Sequence, residues 1–137
     1  MSSRTSEVSS VTIAAPDVPT LATFYRRLLG WTVAHLDGPR PGEPDGAGWA
    51  QLRAPDSASG LRTLNIEWDA EYVRPTWPSR RDSQHVTAHL DIPTDDLSGA
   101  IEHAIAAGAM LADEQPQPDV RVLFDPAGQP FCLFLAN

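Results

Sequence analysis

The sequence has little cysteine, no long apolar run and few basic residues. Its single cysteine, Cys132, excludes an internal disulfide and fits a reducing cytoplasm. No apolar run reaches membrane-spanning length, and residues 1–7 lack the apolar core of a secretion signal, so we expect a cytoplasmic protein. With 10 basic residues against 18 acidic ones, the net charge is −8. Because nucleic acids and anionic membranes bind positive surfaces, we expect neither as a partner.

Hydrophobic residues make up 42% of the 137 positions, enough to build one domain with a sizeable core. The 13 prolines and nine glycines predict many turns, which suits short strands better than long helices. Residues 1–7 are polar and are expected to be frayed.

The clearest pattern lies in residues 85–108, which predict a strand, a turn and a helix. Apolar and polar residues alternate along the strand, and its polar face carries His85, Thr87, His89 and Asp91. The apolar stripe of the helix ends at Gly108, a predicted C-cap. We therefore expect one strand face to pack on the core and the other to face water or a ligand.

The same spacing rules predict the remaining elements. Asp17 or Thr20 caps a helix that ends at Gly30. Strands are predicted over 8–15, 31–36, 49–53, 61–68, 110–111, 120–124 and 131–135. Residues 37–48 form a long loop and residues 69–83 a connection, and each is either a lid over a site or an inert segment.

The two halves of the chain repeat one order of elements. Matching Gly30 with Gly108 mixes polar and apolar strand faces, whereas matching Asp17 with Asp96 keeps the faces consistent. The second register predicts an α+β fold of two βαβββ modules, about 8–68 and 84–137, within one domain spanning 1–137. Its eight strands curve around a cleft, with the helices outside.

Because side chains alternate between the two faces of a strand, we expect one set of them to face that cleft. They are Ser10, Thr63, Asn65, Glu67, Thr87, His89, Asp91, Cys132 and Phe134, with Trp49 or Gln51 near the rim. A concave site with apolar walls and a few polar groups is typical of a small-molecule pocket. Trp49, Trp68 and Trp77 fall near loops or strand ends, where they either stack on a flat ligand or cover the ends of the sheets and a dimer contact.

Several motifs together resemble one known superfamily. These are Phe-Tyr-Arg-Arg-Leu-Leu-Gly-Trp at 24–31, Thr-Trp-Pro at 76–78, His-Leu-Asp at 89–91 and Asp-Pro-Ala-Gly-Gln-Pro-Phe-Cys at 125–132. From about residue 8 onwards the chain resembles the glyoxalase / bleomycin-resistance / extradiol-dioxygenase superfamily, also called the vicinal oxygen chelate fold. The resemblance implies a homodimer but leaves the reaction open, because the fold hosts isomerases, dioxygenases, thiol transferases and drug-sequestering proteins.

The resemblance also implies positions for a metal. The four ligand positions of metal-using members correspond here to Ser10, Glu67, His89 and Cys132. Only Glu67 and His89 are ordinary ligands for a divalent ion, and such sites use about three protein ligands. Asp91 or His85 would be a third ligand only if the strand were shifted, because same-face neighbours along a strand lie about 7 Å apart. We therefore expect no metal or other cofactor; if a metal binds, Glu67 and His89 are its ligands.

These observations favour metal-independent binding of a small apolar or aromatic molecule, including natural-product sequestration or self-resistance. The alternative is a glyoxalase-type lyase or isomerase that is metal-dependent or uses His89 and Glu67 as catalytic acid and base. His89 is equally compatible with a hydrogen-bonded wall residue. Cys132 has no activating base nearby in sequence, so we do not expect it to be a nucleophile.

Overall fold

The structure is a computed structural model that describes residues 6–58 and 60–136. The predicted frayed segment, apart from Ser6 and Glu7, lies outside the described residues. The elements in chain order are β1 (Ser10–Ala15), α1 (Val18–Leu29), β2 (Thr32–Asp37), β3 (Trp49–Arg53), β4 (Thr63–Trp68), β5 (Asp91–Thr94), α2 (Leu97–Ala107), β6 (Met110–Leu111), β7 (Val120–Phe124) and β8 (Pro130–Leu135). None of the helices in these ranges is long and apolar enough to cross a membrane.

The strands form two four-stranded sheets with the same plan. The first has the order β1-β4-β3-β2 and the second β5-β8-β7-β6. The pairs β1–β4 and β5–β8 are parallel, and the other pairs are antiparallel. The predicted α+β class and the two βαβββ modules are confirmed.

The helix caps confirm the register chosen for the repeat. The carboxylate of Asp17 accepts a hydrogen bond from the backbone N–H of Thr20 at 3.0 Å, so Asp17 is the N-cap of α1. Asp96 accepts one from the N–H of Gly99 at 3.0 Å and caps α2 in the same way. Each cap satisfies one of the free N–H groups at a helix start, which is worth about 1 kcal/mol.

Strand β5 is shorter than predicted and begins at Asp91 instead of residue 85. In its parallel register Asp91 pairs with Cys132, so His89 would pair with Pro130. Proline has no N–H to donate to a ladder, and the pairing stops there. The predicted alternation of apolar and polar side chains is present in the structure. Leu90 and Ile92 pack against the core, while His89 and Asp91 are exposed.

One apolar core joins the two modules. Helices α1 and α2 contact each other, and the ring of Phe24 in α1 lies 5.9 Å from that of Phe131 in β8. Leu52 and Ile66 of the first sheet and Leu133 of the second are buried in the same cluster. The core therefore covers the helix side of both sheets, and their helix-free faces point away from it.

A buried hydrogen bond also links the modules. The hydroxyl of Tyr25 in α1 donates to Oδ2 of Asp125, which follows β7, at 2.7 Å. Oδ1 of Asp125 accepts from the N–H groups of Ala127 and Gln129 at 2.9 and 3.0 Å. Burial raises the pKa of Asp125 above its ordinary value, and these hydrogen bonds oppose that rise.

The turn held by Asp125 makes two further contacts with the rest of the chain. The hydroxyl of Tyr72, in the connection, donates to the carbonyl of Ala127 at 2.9 Å. The side-chain amide of Gln129 donates to the carbonyl of Ala14 in β1 at 2.9 Å. The turn therefore fixes the position of the first module and of the connection relative to β7 and β8.

The Tyr25–Asp125 hydrogen bond generates a prediction about stability. The variant Tyr25→Phe leaves a buried carboxylate oxygen without its donor, so we expect the free energy of unfolding to fall by about 1–3 kcal/mol in urea denaturation. Loss of the donor also raises the native pKa of Asp125 further. A raised native pKa means that proton binding stabilises the folded state as the pH falls, so the loss is expected to be smaller at about pH 5 than at about pH 8.

The variant Tyr72→Phe is the matched control. The Tyr72 hydroxyl that this variant removes is only half-buried and donates to a backbone carbonyl. We therefore expect a smaller fall in the free energy of unfolding, and one that varies less with pH. An equal loss for Tyr25→Phe at both pH values would contradict the role given to Asp125.

Candidate small-molecule site

A hollow of about 600 Å³ lies on the helix-free face of the second sheet. Its lining residues come from the connection, from β7 and β8, and from the segments before β5 and β7. They are Trp77, Ser79, Val86, His89, Pro116, Gln117, Val120, Val122, Pro130 and Cys132. All of them belong to the second module or the connection.

The floor of the hollow follows from strand pairing. Val122 of β7 pairs with Cys132 of β8, and Val120 pairs with Phe134, so these side chains share one face. Val122 is buried, whereas Cys132 is half-buried. The floor is therefore apolar apart from one thiol.

The connection forms the opposite wall. The Trp77 ring lies edge-on to the ring of Phe124 with centroids 6.2 Å apart, and the Arg74 guanidinium lies 5.5 Å from the same ring. Gly128 permits this packing, because a Cβ at that position would overlap the Arg74 side chain. The contacts hold residues 74–86 against the second sheet.

Three polar side chains meet at the edge of the hollow. Nδ1 of His89 lies 3.2 Å from Oδ1 of Asp91, and a ligand atom of each lies within 4.8 Å of the sulfur of Cys132. The sequence argument that placed Asp91 too far from His89 is wrong for the side-chain atoms. Backbone positions two residues apart are about 7 Å apart, but the two side chains lean towards each other.

The surroundings of Cys132 favour the protonated thiol over the thiolate. Burial raises the pKa of Cys132 above its ordinary value, and the negative charge of Asp91 raises it further. A thiol in this state is a weak nucleophile unless a base accepts its proton. The sequence analysis found no base near Cys132 because His89 is far from it along the chain. The pairing of β5 with β8 brings the two side chains close together.

The polar face of the first sheet does not contribute to this hollow. There the side-chain amide of Gln51 donates to Asn65 at 3.0 Å, and Asn65 donates to Thr12 at 3.3 Å. The hydroxyls of Ser10 and Thr63 are hydrogen-bonded to each other. This row satisfies its own polar groups and faces away from the core.

The remaining predicted site residues lie elsewhere. Glu67 is exposed on the first sheet, where its strand neighbours are Ala14 and Trp49. Trp68 packs against the core, and Trp49 lies 6.2 Å from the His35 ring. Thr87 lines a smaller recess with Thr12, and Phe134 shares the face of Cys132 without lining the hollow. Glu67 therefore belongs neither to the lining of the hollow nor to the cluster at His89.

The cluster of possible metal ligands differs from the predicted pair. In the described part of the chain the group of three donors able to hold an ion is His89, Asp91 and Cys132, without Glu67. Hard ions such as Mg²⁺ and Mn²⁺ prefer oxygen ligands, so a set that includes a sulfur donor is a poor match for them. His89 and Asp91 are also exposed, so the cluster has a solvated edge.

The paired modules define a protein of the vicinal oxygen chelate fold. A protein-family model described as a glyoxalase-like domain matches residues 10–134, and the chain belongs to this family. The resemblance seen in the sequence motifs is thereby confirmed. A comparison with curated proteins finds no match.

Solved structures share the fold at low identity. A mutant of the fosfomycin resistance protein FosX from Listeria monocytogenes, complexed with Mn(II) and 1S,2S-dihydroxypropylphosphonic acid, has a TM-score of 0.69 and 14% identity over 98% of this chain and 95% of that one. TnmS3, an antibiotic binding protein from Streptomyces sp. CB03234, has a TM-score of 0.60 and 18% identity over 99% and 100%. A glyoxalase family protein from Enterococcus faecalis has a TM-score of 0.63 and 22% identity over 93% and 96%.

The packing of the connection predicts a local effect on dynamics. The variant Phe124→Leu removes the ring that both Arg74 and Trp77 contact. We expect amide hydrogen exchange in residues 74–86 to speed up by roughly tenfold, the equivalent of about 1.4 kcal/mol, while exchange in α1 stays unchanged. The variant Phe134→Leu, another half-buried phenylalanine on this face, is the control. Unchanged exchange in residues 74–86 would refute the packing role of Phe124.

Proposed function

We propose that the hollow binds a small aromatic or apolar molecule without a metal ion. The observation that carries this proposal is the composition of the walls, in which the indole of Trp77 and several aliphatic side chains surround a few polar groups. Its volume of about 600 Å³ lies within the range typical of ligand sites.

The walls favour a flat ligand. Trp77 is fixed edge-on to Phe124, and Val122 forms an apolar floor in the same hollow. A planar molecule between them buries apolar area on both of its faces, which is worth about 25 cal/mol for each Å² removed from water. Ser79, His89 and Gln117 supply hydrogen-bonding groups that orient polar substituents.

The chemistry of the cluster favours binding over glyoxalase-type catalysis. The cluster at His89 does not include Glu67, the second residue of the predicted metal-binding and acid–base pair. The absence of that carboxylate from the cluster supports ligand binding over a reaction that uses the pair. TnmS3, whose description is that of an antibiotic binding protein, shows that this fold accommodates binding. Sequestration of an aromatic natural product in a reducing cytoplasm is the biological role that we infer.

Ligand titration tests the binding proposal. A panel of aromatic compounds that includes benzylacetone is titrated against chelator-treated protein, with tryptophan fluorescence as the signal. We expect at least one compound to bind with a dissociation constant of about 10 μM or lower, and Trp77→Ala to weaken binding at least tenfold, or about 1.4 kcal/mol. The control Trp31→Phe changes a tryptophan that packs against the core and should leave affinity unchanged.

Two results would refute the proposal. The first is that no compound of the panel binds more tightly than about 1 mM. The second is that binding requires a divalent ion and disappears after chelation, which would favour the enzyme alternative.

We also propose that two copies of the chain complete the site. The polar row Thr12, Gln51 and Asn65 faces away from the core, and so does the hollow, so a two-fold partner is able to bring one against the other. β1 and β5 are edge strands of their sheets, which leaves backbone groups available for pairing. The homodimer implied by the sequence resemblance has this arrangement as its simplest form.

Complementation between two variants tests the shared site. We expect sedimentation velocity to give a dimer, and Thr12→Arg to weaken ligand binding although Thr12 lies outside the hollow. In a refolded equimolar mixture of Thr12→Arg and Trp77→Ala chains, half of the dimers are mixed, and each has one intact site. About a quarter of all sites should therefore bind with wild-type affinity. A monomeric protein, or a mixture that recovers no sites, would contradict the arrangement.

A further inference from the structure

We propose that Cys132 is a nucleophile that captures electrophilic aromatic ligands covalently, with His89 as its base and Asp91 as the residue that orients the imidazole. This inference rests on the proposed function and names its ligand class: aromatic compounds that carry an α,β-unsaturated carbonyl group.

The arrangement has the three parts that nucleophilic catalysis requires. The sulfur of Cys132 and a ring nitrogen of His89 lie within 4.8 Å of each other. Nδ1 of His89 lies 3.2 Å from Oδ1 of Asp91. A nucleophile beside a base, with the base held by a third group, is the common pattern of activated thiols and hydroxyls.

The contact with Asp91 assigns the roles of the two imidazole nitrogens. A neutral imidazole that donates from Nδ1 to the carboxylate keeps Nε2 unprotonated. Nε2 is then the atom that accepts the thiol proton. The carboxylate also stabilises the imidazolium that forms when the proton is transferred.

The surroundings of the thiol make such a base necessary. Among the described residues that line the hollow, only His89 and Cys132 have ionisable side chains, and Asp91 lies beside them. Burial and the charge of Asp91 raise the pKa of Cys132, which favours the protonated thiol. Its reactivity therefore depends on proton transfer to His89 during the attack.

The proposed step balances without a co-reactant. The thiol proton moves to His89 while sulfur bonds to the β-carbon of the unsaturated carbonyl compound. The electron pair of the carbon–carbon double bond moves to the α-carbon and carbonyl as an enolate. The enolate α-carbon then takes the proton back from His89, which leaves a thioether on Cys132 and a neutral imidazole.

A pair of probes separates covalent capture from simple binding. Benzylideneacetone carries the unsaturated carbonyl group, and benzylacetone is its saturated counterpart. With chelator-treated protein and benzylideneacetone we expect one adduct by intact-mass measurement. Because Cys132 is the only cysteine in the sequence, the adduct should be absent in Cys132→Ser.

The rate of adduct formation tests the role of His89. The variant His89→Ala should react about 100-fold more slowly at neutral pH, and added imidazole should restore part of the rate. His89 is exposed, so its loss does not threaten folding. A rate that equals that of N-acetylcysteine and does not change in His89→Ala would overturn the proposal.

The two possible roles of Asp91 predict opposite effects of the variant Asp91→Asn on the rate of adduct formation. If its charge acted only by raising the pKa of Cys132, Asp91→Asn would speed the reaction. If Asp91 orients His89 as proposed, the same variant slows the reaction, and Asp91→Glu recovers part of the rate. A faster reaction in Asp91→Asn would overturn the positioning role.

The saturated probe separates this inference from the binding proposal. If benzylacetone binds the protein and benzylideneacetone forms no adduct, covalent capture is refuted and ligand binding stands. If neither benzylacetone nor any other compound of the aromatic panel binds and no adduct forms, both proposals are refuted. Binding of benzylacetone together with a His89-dependent adduct supports both.

Discussion

The hydrogen bond from Tyr25 to Asp125 sets the relation between the two modules. It joins helix α1 of the first module to the turn after β7 of the second, and both groups are buried. The same turn holds Tyr72 of the connection and, through Gln129, the backbone of β1. Because an unpaired buried carboxylate is costly, alternative packings of the modules that break this bond are disfavoured. One core therefore forms on the helix sides of both sheets.

The position of the candidate site follows from that arrangement. A core that covers the helix sides leaves the helix-free faces outside, where the connection packs on one of them through Arg74, Trp77 and Phe124. The hollow is the space that remains between this segment and the floor of β7 and β8. The polar row of the first sheet lies outside this hollow and is satisfied by internal hydrogen bonds. In the proposed dimer, this polar row lies against the hollow of the second copy.

Much of the fold was predictable from local signals. Hydrophobic spacing located both helices and the strands, and the consistency of strand faces selected the register that matches Asp17 with Asp96, both of which are helix caps in the structure. The start of β5 was missed because it depends on Pro130, which lies across the sheet and far along the chain. Strand parity placed His89, Asp91 and Cys132 on the face towards the cleft, but the close approach of their side chains was missed because it depends on side-chain conformation. The parallel pairing of β5 with β8 was the signal that would have placed His89 beside the thiol.

The direct test of the central claim is a crystal structure of chelator-treated protein with a bound aromatic compound. The account predicts that the ligand lies between Trp77 and the floor formed by Val122 and Cys132, with no metal ion at His89. A ligand held instead by a metal ion that His89 and Glu67 coordinate would contradict it.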